Sequence, residues 1–426
     1  MGTDSLSASE IKNVRAWKVF DSRGKPTIEI GVTTRAGYGR ATAPSGLSRG
    51  KWEVEQYPPG GIEEAIRIVE DVVAPKLINR DASEQESIDA LLHEIDGTPN
   101  FRKIGGNTAY AVSVAVALAA ADSTKVHLFE HLSRSSLPEL PLPLGNVIGG
   151  GRHAQSSRTD IQEFLVLPVG ARTFHEAAEA NARVHNQIAA LLEEKGKPSV
   201  GKGDEGAWIA DLTSEEAFEI VQTACECVSD SMGVEMRVGA DLAASTLWSE
   251  KKRTYEYGRD GRRLSEEQQF EFLVSLIEKY DLVYLEDPFH EDAFEAFAEL
   301  AKEAGNTLIC GDDLFVTDLT RFMKGRAMKA GNAIVIKPNQ VGTVSDAYRT
   351  AREAKRSGYA TVTSHRSGDT VAAELAHLAL AFGSPLIKTG VVGGERVAKI
   401  NELMRIENEL GEKARLARIK LRSEKD

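Results

Sequence analysis

Five short apolar runs in the second half of the chain each end on a polar side chain that can do chemistry. The runs end at Asp241, Glu286, Asp312, Lys337 and His365, and a sixth run ends at Lys388. From Glu286 onward these residues follow one another at intervals of 26, 25, 28 and 23 residues, which suits one strand plus its return helix. Apolar runs without alternation are typical of strands buried on both faces of a parallel sheet.

This repeat predicts a parallel α/β barrel in the C-terminal part of the chain. The carboxyl ends of the strands in such a barrel face one mouth, where catalytic groups gather. We therefore expect the three carboxylates, the two lysines and the histidine to lie close together. Carboxylate oxygens are the ligands that Mg²⁺ prefers, and a lysine beside them can act as a base. The pattern indicates a divalent-metal site that acts on an anionic substrate.

The chain of 426 residues is long enough for two or three domains. Residues 1–10 are expected to form a disordered tail. Strands are predicted over residues 11–20, 27–34 and 37–43, followed by helices over 61–77, 84–94, 107–122 and 126–132. Strands followed by helices indicate an α+β unit, and three prolines between Leu137 and Pro143 mark a linker. We therefore assign residues 11–137 to an N-terminal α+β domain and residues 138–426 to the barrel.

Composition excludes several classes of protein. The net charge is −12 and acidic residues are scattered, so the chain offers no basic stripe for nucleic acid and we expect no DNA or RNA partner. The first residues lack the cationic start and apolar core of a signal peptide. The most apolar window, residues 111–121, is too short to span a bilayer, so no membrane partner is expected. A count of three cysteines fits a reducing compartment, and we expect a cytoplasmic protein.

Ten short motifs, taken in chain order, resemble those of one enzyme family. They are Asp21-Ser-Arg-Gly-Lys-Pro-Thr27, Pro44-Ser-Gly-Leu-Ser-Arg-Gly50, Asp96-Gly-Thr98, Gln162-Glu-Phe164, Gly203-Asp-Glu-Gly206, Leu285-Glu-Asp-Pro-Phe289, Gly311-Asp-Asp-Leu314, Ile336-Lys-Pro-Asn-Gln340, Ser364-His-Arg-Ser-Gly368 and Ile387-Lys-Thr-Gly390. Through these motifs the chain is similar to the enolases from about Arg15 to Gly411. The resemblance implies a (β/α)8-type barrel of the enolase superfamily with an N-terminal α+β capping domain. It also implies reversible, Mg²⁺-dependent dehydration of 2-phosphoglycerate to phosphoenolpyruvate in glycolysis and gluconeogenesis.

The resemblance assigns the metal ligands. It implies two Mg²⁺ ions per subunit, the tighter of which is held by Asp241, Glu286 and Asp312. Ser48 matches the serine on a lid loop that binds the second ion in that family. Such loops, flanked by glycine, commonly close over a substrate and exclude water.

The resemblance also names the two residues that move protons. Lys337 matches the base, and it must be neutral to remove a proton from carbon, so we expect the metal ions and Lys388 to lower its pKa. Glu205 matches the acid that protonates the leaving hydroxyl, and we expect Glu163 to raise its pKa by sharing a proton.

The remaining predicted site residues bind the substrate. Arg366 and Ser367 match the phosphate contacts, and Lys388 matches the residue at the substrate carboxylate. Further pocket residues implied by the resemblance are His153, Gln162, Glu163 and His365.

The chain departs from the family pattern around the predicted mouth. Leu47 and Arg49 replace the usual Ala and Thr of the lid, an additional Lys202 precedes Gly203, and Trp208 follows the Glu205 motif. These differences leave two alternatives: a superfamily paralogue that acts on another carboxylate, or a non-catalytic binding protein that retains the fold. The family assembles as homodimers, some of which pair into octamers, so a homo-oligomer is expected.

Overall fold

The computed structural model describes residues 7–46, 49–133, 138–153 and 159–419. Ser48, the predicted ligand of a second metal ion, lies outside the described residues. Within the segment expected to be a tail, Ser9 Oγ donates a hydrogen bond to Asp81 at 2.6 Å and Glu10 forms a bridge with Asp81.

The first part of the chain is an antiparallel sheet followed by helices, which confirms the predicted order. The strands are β1 (Ile11–Phe20), β2 (Pro26–Thr34) and β3 (Tyr38–Thr42), in the order β1-β2-β3. The helices are α1 (Gly61–Ile68), α2 (Ala74–Leu77), α3 (Gln85–Asp96), α4 (Gly106–Thr124) and α5 (Leu128–Ser133). A π-helical turn over Val69–Val73 joins α1 and α2, so the predicted helix over residues 61–77 is continuous.

Helix α4 lies between the N-terminal sheet and the barrel. It is buried along almost its whole length, because alanine, glycine and serine on several of its faces let neighbouring elements approach closely. At its start Asn107 Oδ1 accepts a hydrogen bond from Asn339 Nδ2 of the barrel at 3.2 Å. Within the described ranges, no helix is both long and apolar enough to cross a membrane.

The second part of the chain alternates strands and helices around a closed barrel. Its strands are β4 (Glu139–Leu140), β5 (Leu142–Gly149), β6 (Glu163–Leu167), β7 (Gly201–Lys202), β8 (Trp208–Ile209), β9 (Arg237–Asp241), β10 (Trp248–Ser249), β11 (Thr254–Tyr257), β12 (Arg262–Leu264), β13 (Tyr284–Glu286), β14 (Leu308–Gly311), β15 (Ala333–Ile336), β16 (Ala360–Ser364), β17 (Leu386–Lys388) and β18 (Arg415–Leu416). Its helices are α6 (Phe174–Glu194), α7 (Ser214–Met232), α8 (Glu266–Tyr280), α9 (Phe294–Glu303), α10 (Leu319–Met328), α11 (Val344–Arg356), α12 (Glu374–Phe382) and α13 (Gly394–Leu410). The six predicted strands are confirmed, with small differences at their ends.

The barrel is closed by pairing of its last strand with its first. The order is β5-β6-β9-β13-β14-β15-β16-β17, and β17 returns to pair with β5. The strands are parallel except for β6, which runs antiparallel to both β5 and β9. The predicted α/β barrel is confirmed, and it departs from a fully parallel one at its start, where β5 and β6 are consecutive strands and α6 and α7 are consecutive helices. A short hairpin of β7 and β8 separates these two helices.

The reversed direction of β6 determines which of its residues reaches the mouth. The carboxyl ends of the parallel strands face the mouth, so an antiparallel strand presents its amino end there. Glu163 is the first residue of β6 and pairs in register with Asp241, the last residue of β9. The two carboxylates are therefore neighbours, although one begins a strand and the other ends one.

Candidate active site

The mouth of the barrel gathers the predicted site residues in one buried place. Those that the structure describes are His153, Gln162, Glu163, Glu205, Asp241, Glu286, Asp312, Lys337, His365, Arg366, Ser367 and Lys388, and all except the half-buried Lys337 are buried. Groups that are charged in water are rarely buried unless they are paired, so this concentration requires a network of compensating contacts.

Lys388 lies at the centre of this network. Its Nζ lies 3.0 Å from Asp241 Oδ2, 3.1 Å from Glu163 Oε2 and 2.9 Å from Glu286 Oε2. Burial opposes the charge on the ammonium, but Asp241 and the two glutamates raise the pKa of Lys388 well above its usual value. Lys388 is therefore a fixed cation.

Strand register places the three carboxylates side by side. Glu163 pairs with Asp241 across β6 and β9, and Asp241 pairs with Glu286 across β9 and β13. Burial, with the neighbouring Asp241 carboxylate, raises the pKa of Glu286 to about 7. Tyr284 OH donates a hydrogen bond to Glu286 Oε2 at 2.6 Å. Ionised together, these three carboxylates would have more negative charge than one lysine neutralises.

Lys337 and Asp312 form a second charged pair at the mouth. The Lys337 ammonium donates to Asp312 Oδ2, and Gln340 Nε2 donates to Asp312 Oδ1 at 2.9 Å. Burial opposes the charge on Lys337, but the Asp312 carboxylate raises the pKa of Lys337 above its usual value. Lys388 acts on this pKa in the expected direction, but the direct pair with Asp312 outweighs it, so the net shift in this arrangement is upward. The lowering expected from metal ions stays a prediction.

Glu205 reaches the mouth from the hairpin of β7 and β8. Asn146 Nδ2 of β5 donates to Glu205 Oε2 at 3.1 Å, and His365 Nε2 lies 3.3 Å from the same oxygen. His153 Nδ1 lies 3.5 Å from Glu163 Oε1 and 3.9 Å from Glu205 Oε1. The carboxylates of both glutamates therefore lie beside the same ring nitrogen of His153.

The pKa values of these two glutamates are shifted in opposite directions. Burial and the nearby Glu205 carboxylate raise the pKa of Glu163 well above its usual value. Burial acts in the same direction on Glu205, but the imidazoles of His365 and His153 outweigh it and hold the pKa of Glu205 well below its usual value. These directions are opposite to the expectation, which assigned the raised pKa to Glu205.

Arg366 and Ser367 occupy another side of the mouth, after β16. The Arg366 guanidinium is held by Glu53 of the N-terminal domain, with Nη2–Oε1 and Nη1–Oε2 distances of 3.0 Å each. Asn339 Oδ1 accepts a further hydrogen bond from Arg366 Nη1 at 3.1 Å. A planar guanidinium fixed in this way is suited to binding phosphate or carboxylate.

An arginine of the N-terminal domain, Arg23, supports the same loop. Arg23 Nη2 donates to Ser45 Oγ at 2.7 Å, and Arg23 Nη1 lies 3.4 Å from Ser367 Oγ. Ser45 and Gly368 exchange backbone hydrogen bonds of 2.7 and 2.9 Å. The capping domain therefore forms one wall of the site.

The donor set at the mouth fits a hard divalent cation. Glu286 Oε1 and Gln162 Oε1 are buried and have no hydrogen-bond partner among the described residues. Two groups bring ligand atoms within 4.8 Å of one another, namely His153 with Glu163 and Glu205, and Asp287 with Asp312 and Asp313. Asp241, Glu286 and Asp312 do not form one such group, because Lys388 contacts the first two carboxylates and Lys337 contacts the third. Oxygen ligands with unsatisfied lone pairs are those that Mg²⁺ prefers.

Asp287, the residue after Glu286, has a structural role. Its carboxylate accepts hydrogen bonds from the backbone N–H groups of Asp312 and Asp313, at 3.0 and 2.8 Å. It thereby fixes the start of the loop that carries the predicted ligand Asp312.

Three site residues were missed by sequence reasoning. Glu53 gave no signal, because it lies in a polar stretch after the lid. Asn146 is a lone polar side chain within the apolar strand β5, which is a signal that could have been used. Arg396 is a cation in the first turn of α13, where the helix macrodipole disfavours positive charge.

The fold and the site together define a class of protein: an α/β-barrel enzyme with a capping domain, whose mouth combines buried carboxylates with lysines. Models of two protein families match nearly the whole chain, one described as the enolase N-terminal domain over residues 11–132 and one as the enolase C-terminal TIM barrel domain over residues 138–425. The chain belongs to the enolase family.

Curated relatives agree with this assignment. The chain is 50% identical over 404 residues to the enolase of Methanosphaera stadtmanae, covering 94% of this chain and 98% of the relative. It is 50% identical over 405 residues to the enolase of Methanothermobacter thermautotrophicus, with 94% and 97% covered. It is 48% identical over 409 residues to the enolase of Archaeoglobus fulgidus, with 96% and 100% covered.

Proposed function

We infer that the protein is a hydro-lyase that interconverts 2-phosphoglycerate and phosphoenolpyruvate. The observation that carries this inference is the buried contact of Lys388 with Glu163, Asp241 and Glu286, within a chain that belongs to the enolase family over nearly its full length. A carboxylate substrate requires a fixed cation, and a divalent metal ion requires carboxylate ligands. This cluster contains both.

Lys337 removes the proton from the carbon next to the substrate carboxylate. It lies at the end of β15, and its ammonium is neutralised by Asp312. To act as a base it must lose its proton, and this requires that Asp312 be drawn away from it toward another cation. The carboxylate of the substrate gains charge when the proton leaves, and Lys388 is placed to offset that charge.

Glu205 gives a proton to the leaving hydroxyl group. Its carboxylate is held by Asn146 and faces His365. In the hydration direction the same group accepts a proton from water, and its low pKa keeps it ionised for that role. In the dehydration direction Glu205 must be protonated, and the Glu163 carboxyl, which lies with it beside His153 Nδ1, is a neighbouring source of that proton.

The phosphate group of the substrate is bound by Arg366 and Ser367. Arg366 is pre-oriented by Glu53 and Asn339, so little conformational entropy is lost when the phosphate binds. Gln162, His153 and His365 complete the pocket. The phosphate and the carboxylate of one small molecule are thereby held at two fixed cations.

Two Mg²⁺ ions per subunit are part of this proposal. Asp241, Glu286 and Asp312 would hold one ion, which supplies Lewis-acid stabilisation of the substrate carboxylate. Ser48 would contribute to the second.

The direct test is formation of phosphoenolpyruvate from 2-phosphoglycerate with excess Mg²⁺, in wild type and in Lys337→Ala. We expect turnover in wild type and its loss in the variant. Lys302→Ala, which removes an exposed lysine from α9, serves as the matched control and should retain wild-type turnover. A wild-type protein that binds Mg²⁺ but forms no phosphoenolpyruvate would contradict the proposal.

A second candidate is a superfamily enzyme that acts on another carboxylate. It is favoured by one observation, the modified hairpin that carries Glu205. Lys202 Nζ lies 4.8 Å from the centroid of the Trp208 ring, which in turn stacks on His185 at 4.9 Å. A panel of hydroxy acids with and without phosphate, at fixed Mg²⁺, separates the two candidates by kcat/KM. A non-catalytic role is disfavoured because base, acid and carboxylates are all retained.

The protein is further proposed to be a cytoplasmic homo-oligomer. Phe20 and Val371 are 69% and 75% exposed, and the segments that carry them are joined by a hydrogen bond from Ser22 N to Asp369 O at 2.8 Å. A contiguous apolar patch that included both side chains would be typical of an interface between subunits. Sedimentation of wild type and of Phe20→Glu tests this, since the substitution should shift the protein toward the monomer.

A further inference from the structure

Arg396 is a fully buried cation in an unfavourable place. It lies in the first turn of α13, with no measurable exposure to solvent. The positive end of the helix macrodipole disfavours a cation there, and a guanidinium is costly to bury unless its donors are satisfied. A buried cation placed against the helix macrodipole is expected where its contacts serve a function.

The donors of Arg396 are aimed at two active-site loops. Nη1 donates to Arg366 O at 2.8 Å, and Nη2 donates to Ser367 O at 2.6 Å, both in the loop after β16. Nη2 also donates to Asp204 O at 2.8 Å, in the residue directly before Glu205. One guanidinium therefore links the loop assigned to the phosphate with the loop assigned to the acid.

Two glycines allow the segment before α13 to pack directly against the Glu205 loop. Gly206 has φ +80°, and a Cβ atom there would lie 2.1 Å from Val392 O. Gly390 has φ +70°, and a Cβ atom there would lie 2.9 Å from Glu205 O. This close approach is what brings Arg396 within reach of the Asp204 carbonyl.

The fourth contact of the Arg396 donors determines the tautomer of His365. Arg396 Nη1 lies 2.8 Å from His365 Nδ1. Arginine has no acceptor, so Nδ1 must accept the hydrogen bond and cannot carry a proton. The proton of the neutral imidazole is therefore on Nε2, which is buried, lies 3.3 Å from Glu205 Oε2 and makes no hydrogen bond among the described residues.

We propose that Arg396 is a positioning residue for the reaction: it holds His365 as the Nε2–H tautomer facing Glu205 and locks the Glu205 loop to the Arg366–Ser367 loop. The effect on catalysis rests on the proposed function, whereas the tautomer does not. An Nε2–H group 3.3 Å from Glu205 Oε2 needs only a small adjustment to donate to the carboxylate form, and its tautomer is fixed before any substrate binds. Without Arg396, the imidazole could adopt the other tautomer and Glu205 would lose its orientation.

The tautomer is tested by NMR of protein labelled with [¹⁵N]histidine. Nitrogen shifts distinguish a protonated ring nitrogen from an acceptor nitrogen, and His365→Asn assigns the relevant signals among the nine histidines. In wild type we expect His365 Nδ1 to be the acceptor and Nε2 to carry the proton. In Arg396→Met this preference should be lost, and in Arg396→Lys, whose ammonium can still donate, it should be partly retained. A wild-type spectrum with the proton on Nδ1 overturns the proposal.

Kinetics with a matched control separate positioning from general stability. Lys399 is a buried cation one turn further along α13, where Nζ lies 3.0 Å from Asp369 and donates to Thr370 O at 2.6 Å. Lys399→Met and Arg396→Met should both lower the melting temperature, because each removes a buried cation. We expect only Arg396→Met to lower kcat, by about 100-fold with a smaller change in KM, and Arg396→Lys to recover part of the loss.

The possible results decide the proposal in distinct ways. Equal losses of kcat in the Arg396→Met and Lys399→Met proteins, with the His365 tautomer unchanged, overturn it and leave a purely structural arginine. If Arg396→Met does not fold, the wild-type and Arg396→Lys spectra still decide the tautomer. Absence of wild-type turnover on 2-phosphoglycerate would refute the proposed function but not the tautomer, which is measured without substrate.

Discussion

Glu53 and Arg366 form a buried bidentate ion pair that joins the capping domain to the barrel. Both side chains are about 3% exposed, and the two shortest nitrogen–oxygen distances are 3.0 Å each. Burial opposes the charge on the guanidinium, but the Glu53 carboxylate outweighs it and raises the pKa of Arg366 above its usual value. The cation that we assign to the substrate phosphate is therefore already compensated by a carboxylate from another domain.

Glu53→Gln should destabilise the protein and make it more responsive to phosphate. Removing one partner of a buried pair leaves an uncompensated charge, which typically costs about 3–5 kcal/mol of unfolding free energy. Inorganic phosphate can restore the missing negative charge at Arg366. We therefore expect a larger phosphate-induced rise in melting temperature in the variant than in wild type, measured by thermal unfolding with and without phosphate.

A nearby glutamate provides the control for this prediction. Glu55 has a half-exposed side chain and lies 3.9 Å from Arg49, so Glu55→Gln should change stability little. A Glu53→Gln protein that is as stable as wild type, with the same response to phosphate, would show that the ion pair does not couple the two domains.

Binding of Mg²⁺ should stabilise the protein through the row of adjacent carboxylates. Asp241 lies in register between Glu163 and Glu286, so a bound cation would favour the ionised form of all three carboxylates, which Lys388 alone does not neutralise. At 100 times the dissociation constant the gain is about 2.7 kcal/mol, and a chelator should reverse it. Asp241→Asn should abolish the shift in melting temperature, whereas Glu278→Gln, on the exposed face of α8, should retain it. A full Mg²⁺ response in Asp241→Asn would exclude Asp241 as a ligand.

The two proton-transfer roles can be separated by isotope exchange. If Lys337 removes the carbon-bound proton and Glu205 serves the hydroxyl, Glu205→Gln should still exchange that proton with deuterium from solvent while dehydration falls by about 10²–10⁴-fold. Lys337→Ala should lose both exchange and dehydration. Exchange is followed by NMR of 2-phosphoglycerate in D₂O. Exchange that persists in Lys337→Ala but not in Glu205→Gln would reverse the two assignments.

The repeated strands of the barrel could be predicted from the sequence because each apolar run stops at a polar residue. Asp241, Glu286 and Lys388 each end a buried strand, so barrel geometry alone predicts that they meet at the mouth. Glu163 does not follow that rule. It begins a strand, and only the antiparallel direction of β6 brings it beside Asp241, which no local pattern reveals.

The electrostatics of the site could not be predicted from residue types. The pKa shifts of Lys337 and Glu205 depend on which group faces each of them, and the structure pairs Lys337 with Asp312 and Glu205 with two histidines. The roles of Glu53 and Arg396 likewise could not be predicted from the sequence, because they arise from contacts between segments far apart in the chain. Sequence identified the chemistry of the site, and tertiary contacts determine its charge distribution.

The buried imidazole of His365 should make stability depend on pH in a defined window. Burial lowers the pKa of His365 from 6.5 to about 4, so the folded protein binds fewer protons than the unfolded chain between these values. The contribution of His365 to the free energy of unfolding is therefore fully present above pH 6.5. It is lost as the pH falls toward 4, with a slope approaching 1.4 kcal/mol per pH unit. His365→Asn removes this dependence, so the difference in unfolding free energy between wild type and variant should change by about 2–3 kcal/mol between pH 7 and pH 4.5.

Urea unfolding at half-unit pH intervals measures this change, and His175→Asn, at an exposed position of α6, controls for loss of an imidazole. A constant difference for His365→Asn across this range would mean that His365 is not held neutral in the folded protein.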